Sequence, residues 1–350
     1  MSYIIPNNSK SSIILYLDSR DATSYLATKL ETDIDGNDRE VNLNSYFQYV
    51  LQENIEVPLN QRALVSLQSA TIPYSFYNIR TGINDTLVYE ISNLTTSAST
   101  GGQILTLPSG NYTAFSLQDE IQQTLNNHSI DVNYNFLMEY DSDKNKFLYT
   151  IENSSNENVL QVDFFFSNEV KSCNVEMGFE PSNLKFLSTT TQNLRYSQNV
   201  IDINGSIHGV YIRSNLVSKG TLDSQNGTLS NILARLPINV QSGGIIFGGE
   251  NNHKSIVDLK YINTITIRLT DERNRILDLN GLHFQIAIQL DFLYSKKPIL
   301  IPTGGLSESG GSSFHNEKEE KELEIQRRLK EKTKKTQSKI NQPVKSKKNI

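Results

Sequence analysis

ITIRLTDERNRILDLNGLHFQIAIQLDFLY, residues Ile265 to Tyr294, keeps a two-residue rhythm interrupted only by short polar stretches. Ile265, Ile267 and Leu269 occupy one phase; Thr266, Arg268 and Thr270 occupy the other. After Asp271-Glu272-Arg273-Asn274 the rhythm resumes, pauses at Asn280-Gly281 and returns through Phe284, Ile286, Ile288, Leu290 and Phe292. Successive side chains of a strand face opposite ways, so the pattern is that of antiparallel strands with one buried and one wet face. Asn-Gly supplies the positive φ angles of tight hairpins, and the stretch reads as a β-meander.

The same alternation appears elsewhere along the chain. IILYL (13–17), SYFQYVLQENIEV (45–57), RALVSLQSATI (62–72), DTLVYEI (85–91) and QILTLPSG (103–110) are strand candidates, with Pro73 closing the third. IDVNYNFLMEY and NKFLYTIE form a hairpin around 141–144, followed by VLQVDFFFS (159–167). VIDI (200–203), HGVYIRS (208–214), SNILARLPI (230–238) and GGIIFGG (243–249) precede the quoted stretch. One segment changes period: Leu117, Ile121 and Leu125 recur every four residues, which predicts a helix near 114–127 capped by Ser116 with Asp119. Many short strands, turn-rich joints and one intercalated helix predict an all-β chain, an antiparallel sandwich of jelly-roll type. Gly178 and Pro181 mark the expected boundary between two tandem barrels, 13–180 and 181–302, after an arm over 1–12. The region 303–350 reads as a charged flexible tail carrying an exposed helix over 316–335.

The single cysteine of the 350 residues, Cys173, excludes an intramolecular disulfide and suits a reducing compartment. The start, MSYIIPNNSK, lacks a basic segment followed by an apolar run, so no signal peptide is expected, and no run has the length of a membrane helix. Charge is divided unevenly. Residues 307–350 carry 12 Lys+Arg against 7 Asp+Glu, while the rest of the chain carries 21 against 31. A basic tail on an acidic body suits either phosphate-level contact with nucleic acid or an anionic membrane, without sequence specificity, or a merely solvating role.

Motifs with chemistry attached are incomplete. GGENNHKS (248–255) ends in Lys254-Ser255 like a phosphate loop but has His253 where glycine is required, so it reads as an inter-strand loop. Asp141, Asp143, Asn145 and Glu152 have calcium-loop spacing, but Lys146 stands at the glycine position, and a β-turn is the reading favoured. His128, His208, His253, His283 and His315 form no ligand pair, and Cys173 has no partner motif. No G-x-S-x-G elbow occurs. No catalytic, cofactor or metal residue is therefore assigned, no small-molecule substrate is expected, and the chain reads as a non-enzyme.

One order of segments goes further. LDSRDAT (17–23) is followed by NIEVPLNQRALVSLQSATIPYSFYNI (54–79) and LTLPSGNYTAFSLQDEIQQTLN (105–126). Then come MGFEPS (177–182), ILARLPINVQSGG (232–244) and ITIRLTDERNRILDLNGLHFQIAIQL (265–290). The order resembles minor capsid and penton-type proteins of the large DNA viruses of protists and algae, and of their virophage and polinton relatives. The likeness covers about residues 13–294. It implies jelly-roll sandwiches that assemble as symmetric trimers or pentamers with a major capsid protein lattice, in a virion assembled in the host cytoplasm. Two other classes stay open. A receptor- or carbohydrate-binding attachment module would expose aromatics such as Tyr74, Phe76 and Tyr77, and a glycosidase would need paired carboxylates in one cleft.

Overall fold

The computed structural model describes residues 11–294, apart from 33–34, 130–133, 154–158, 167–170, 188–194, 205–206, 219–220, 224–227 and 250–252. The expected tail over 303–350, its helix over 316–335 and the first ten residues of the arm lie outside the described residues. The last two arm positions, Ser11 and Ser12, already belong to a strand.

Two sheets face each other across a first core. One runs β1 (Ser11–Asp18), β22 (Gln285–Tyr294), β6 (Gln61–Pro73), with β19 (Ile245–Gly248) and β20 (Ser255–Val257) both pairing β6. The other runs β18 (Ile232–Pro237), β15 (Gly209–Ser214), β21 (Tyr261–Thr270), β5 (Tyr46–Glu56) and β2 (Ser24–Tyr25). Lettered B to I in chain order, strands β1, β5, β6, β15, β18, β19, β21 and β22 give sheets B-I-D-G and C-H-E-F, which is jelly-roll wiring. The ladders within both sheets are antiparallel. The inward phase follows the alternation in the sequence: Ile265, Ile267 and Leu269 from one sheet meet Ile286, Ile288 and Leu290 from the other, all buried. Phe47 and Phe284 contact across the gap with centroids 5.6 Å apart.

The quoted stretch is consequently not a meander. Its two strands, β21 and β22, lie in different sheets, and residues 271–284 cross between them. Asn280 and Gly281 do have positive φ, 49° and 80°, but they turn the crossing segment and close no hairpin. Alternation fixes which face of a strand is buried; it carries no information about which strand lies alongside.

A second core forms between β6 and β15. One sheet runs β13 (Leu184–Leu187), β12 (Leu160–Phe164), β7 (Thr86–Asn93), β8 (Ala98–Ser99), with β9 (Gln103–Thr106) also on β7. The other is β10 (Tyr134–Asp141), β11 (Lys146–Asn153) and β14 (Arg195–Tyr196). Helix α1 (Ala114–Asn127) buries Leu117, Ile121 and Leu125 in this core, beside the aromatics Tyr149, Phe164, Phe179 and Phe186. Two small hairpins, β3 (Thr28–Thr32) with β4 (Asp38–Asn42) and β16 (Thr221–Asp223) with β17 (Thr228–Ser230), complete the strands.

The two cores are nested, not consecutive. The first gathers residues from 17–76 and 207–292, the second from 79–201. The expected division at 180/181 falls inside the second core, where Met177, Phe179 and Phe186 are all buried. Gly178 does make a turn there, at φ +76°, and a Cβ on it would come within 2.6 Å of the Asn199 carbonyl oxygen. The cap of α1 also differs from the expectation: Thr113 is the N-cap and exchanges bonds with Ser116, one turn earlier than the Ser116–Asp119 pair. VIDI (200–203) forms no strand, although Ile201 is buried.

Candidate functional site

The residues weighed for chemistry sit apart. In the β10–β11 hairpin, Asp141 Oδ1 accepts from the backbone N–H of Asp143 and of Lys144, at 3.1 Å each. Its Oδ2 accepts from Lys144 Nζ at 2.9 Å and from the Tyr196 hydroxyl at 2.9 Å. The Lys144 and Tyr196 contacts hold its pKa down at about 2. Asn145 takes positive φ, 53°, and its Oδ1 accepts from the Tyr140 hydroxyl. The four-residue turn, with Asp141 opposite Lys146, uses these groups to close itself. Among the described residues no cluster of three His, Cys, Asp or Glu has metal-binding proximity.

In the phosphate-loop-like segment, Ser255 is buried in β20 and Lys254 pairs with the Asp291 carboxylate. The four described histidines have separate neighbours. His128 meets the Tyr89 hydroxyl, and His208 lies 3.4 Å from Asp202. His253 sits 3.4 Å from the Ser255 hydroxyl, and His283 lies 3.0 Å from that of Ser19. His315 lies outside the described residues. Cys173 is fully buried, and burial pushes its thiol pKa up. Of the three aromatics that an attachment site would expose, Tyr74 and Phe76 are packed in the first core with centroids 4.6 Å apart, and only Tyr77 reaches solvent.

What the fold does present is a pair of contrasting sheet edges. Strand β10 has β11 on one side and α1 on the other. Gln118, Gln122 and Asn126 of the helix accept from the backbone N–H of Tyr140, Met138 and Phe136 at 2.7–2.9 Å, and Asn126 also donates to the Phe136 carbonyl. This strand edge is thereby covered. Strand β1 pairs with β22 over its whole length, Ser11 opposite Phe292 through Asp18 opposite Gln285. Its other side meets no strand among the described residues. Ile13, Ile14 and Tyr16 are exposed there, Tyr16 by 80% and Ile14 by 43%. Where β1 ends, Tyr16, Asp18, Asp21, Ser69, Thr71 and Gln285 border a shallow depression of about 390 Å³ on the outer face of this sheet. Asp18 is held as a carboxylate well below its ordinary pKa, first by the side-chain bonds from Arg20.

A buried polar junction joins the two cores. Asn78 donates to the carbonyls of Tyr112 at 2.7 Å and Ile203 at 2.6 Å, stapling the outgoing and returning chains. Arg80 reaches back to Asp271 at 3.2 Å, and Asp271 also receives the Arg275 guanidinium at 2.6 Å. Asn84 accepts from the Arg80 backbone N–H and donates to Glu176 Oε1 at 2.6 Å. Glu176 is 2% exposed, and its Oε2 has no hydrogen-bond partner among the described residues. Burial pushes its pKa up to about 7 despite the Asn84 bond. Neither the open β1 edge nor this junction is assignable from sequence alone, because both depend on residues far apart in the chain.

No family model and no curated protein matches the chain. Among solved structures, it is distantly similar to the crystal structure of SeMet-labeled mavirus penton protein. The identity is 14%, the match covers 81% of this chain and 100% of that one, and the TM-score is 0.48.

Proposed function

We propose that this chain is a structural virion protein, a minor capsid or penton-type component that assembles as a symmetric trimer or pentamer with a major capsid protein. The observation that carries the reading is the eight-strand B-I-D-G/C-H-E-F wiring with a second β body inserted between its third and fourth strands. That scaffold sets many loops and strand edges outward while its inward phases are filled by apolar side chains. The order of sequence segments that resembles capsid proteins covers both bodies. An attachment module is less well supported, because two of its three candidate aromatics are committed to the core. In this reading the basic tail, 307–350, contacts nucleic acid or anionic lipid inside the particle.

The test is to tag the chain in a producing culture, purify particles and image them. Label at fixed symmetry positions of the capsid supports the proposal. Label absent from particles, with the protein recovered free, overturns it.

A further inference from the structure

We infer that the open edge of β1 is a pairing site for β1 of a second copy of this chain, joining the B-I-D-G sheets of two copies across a two-fold axis. The argument begins with which backbone groups face outward. Ser19 continues the register of β1 on β22, and its N–H donates to the Phe284 carbonyl at 3.0 Å. In an antiparallel pair the residues that bond to a given neighbour alternate. Leu17, Leu15 and Ile13 therefore bond toward β22, and Ser12, Ile14 and Tyr16 turn their N–H and C=O groups to the open side.

Free strand edges in natural proteins are usually short, charged, proline-bearing or covered. β1 is eight residues long, SSIILYLD, with no proline and no charge before Asp18. Other margins are shorter or protected, β19 and β13 having four residues each. β10 is covered by α1, β2 and β8 have two residues each, and β18 carries Arg235 and ends at Pro237.

A second copy fits this edge better than a charged partner does, because the strand complements itself. Antiparallel pairing about Leu15 keeps inward and outward phases aligned between copies. It sets Tyr16 beside Ile14 of the second copy, and the symmetric pair repeats the contact. Aromatic with β-branched is a favourable cross-strand pair, and these are the two exposed apolar side chains of the outer phase. Ser12 falls opposite Asp18, where a hydroxyl can donate to the carboxylate, and the two Asp18 residues lie at opposite ends of the joint. Such a contact closes at two copies and leaves the C-H-E-F sheet and the inserted body free for other neighbours.

The test is sedimentation of the full chain across a concentration series, for wild type, Ile14→Pro and Tyr261→Lys. Ile14→Pro removes an outward N–H that no bond among the described residues uses; Tyr261→Lys changes an exposed aromatic on the other sheet. Wild type is expected as an even number of copies, six or ten where two of the proposed trimers or pentamers join through this edge, with Ile14→Pro halving that mass and Tyr261→Lys leaving it unchanged. Ile14→Lys, which keeps the N–H but adds like charge at the joint, should also halve it. Circular dichroism and melting temperatures near wild type certify that the variants fold. A wild-type assembly of one, three or five copies overturns the inference while leaving the capsid proposal standing. So does an even assembly whose mass survives both Ile14 variants.

Discussion

Replacing Glu176 by glutamine should abolish a pH dependence that the junction imposes on folding. The carboxyl is 2% exposed; Asn84 bonds one oxygen and the other has no partner among the described residues. Burial dominates, with Asp202 opposing and Arg80 assisting ionisation, and the folded-state pKa rises from 4.5 to about 7. The sign follows from proton counting. Below pH 4.5 the group is protonated in both folded and unfolded chains, and its contribution to stability is fully present. Between 4.5 and 7 the unfolded chain has released the proton and the folded chain retains it, so stability falls as pH rises. Above about 7 the contribution is gone. At ~1.4 kcal/mol per pH unit across that interval, the loss is about 3 kcal/mol. Glutamine keeps the acceptor for Asn84 and cannot ionise. Urea unfolding followed by far-UV circular dichroism at several pH values between about 4.5 and 8.5 provides the assay. The stability gap between wild type and Glu176→Gln should shift in the variant's favour by about 3 kcal/mol as pH rises. Curves that remain parallel over this range would refute the reasoning and place the titrating burden elsewhere.

Ile286→Asp sets an unpaired charge in the first core and should prevent folding, since the cost of several kcal/mol rivals a domain's stability. Gln285→Asp, one residue away, should cost only about 1 kcal/mol by losing the bond to Asp18 and adding a like charge beside it; equal loss of soluble protein at both positions would contradict the strand phase. Gln122→Leu removes the acceptor of the Met138 N–H and should lower stability by about 1–3 kcal/mol, whereas exposed Gln123→Leu should not; equal melting points would dismiss the helix as a strand cover. Deleting 307–350 should leave the circular dichroism of the β body intact and weaken low-salt retention on nucleic acid or anionic vesicles, with the difference fading as salt rises; loss of the oligomer instead would make the tail an assembly element.

Face was legible in the sequence; neighbour was not. The phases of Ile265–Leu269 and Phe284–Phe292 were readable because burial obeys the two-residue period. That β21 and β22 occupy opposite sheets depends on β5 and β6 arriving some 200 residues earlier, which no local pattern records. The nested cores escaped reading for the same reason. Gly178 and Pro181 announce a turn, and a turn within a core looks like a turn between domains until the partner strands are known. β20 was missed because SIV is short and follows a polar loop, so only its ladder to Ala63–Val65 makes it a strand. The chemistry-like spacings failed for a different reason: the oxygens of Asp141 and the ammonium of Lys254 are engaged by nearby groups of the same fold.

The helix cover and the open strand answer to one geometric rule. Along a helix, four residues rise about 6.0 Å, while two residues of a strand rise about 6.7 Å. A polar helix row at every fourth position therefore stays in step with alternate strand residues for about three contacts before it slips. α1 places Gln118, Gln122 and Asn126 on that row, each one residue after the apolar Leu117, Ile121 and Leu125. The matching N–H donors are Tyr140, Met138 and Phe136, the alternate residues of β10. Three contacts suffice because β10 has eight residues, half of whose backbone groups already bond to β11. β1 has the same length and the same arithmetic, with Ser12, Ile14 and Tyr16 as the outward residues, and no described helix lies alongside it. Two of these three outward side chains, Ile14 and Tyr16, are apolar where those of a solvent-facing edge are usually charged. A cover for β1 must therefore bring backbone groups at strand spacing and an apolar side chain beside Tyr16, and another β1 supplies both.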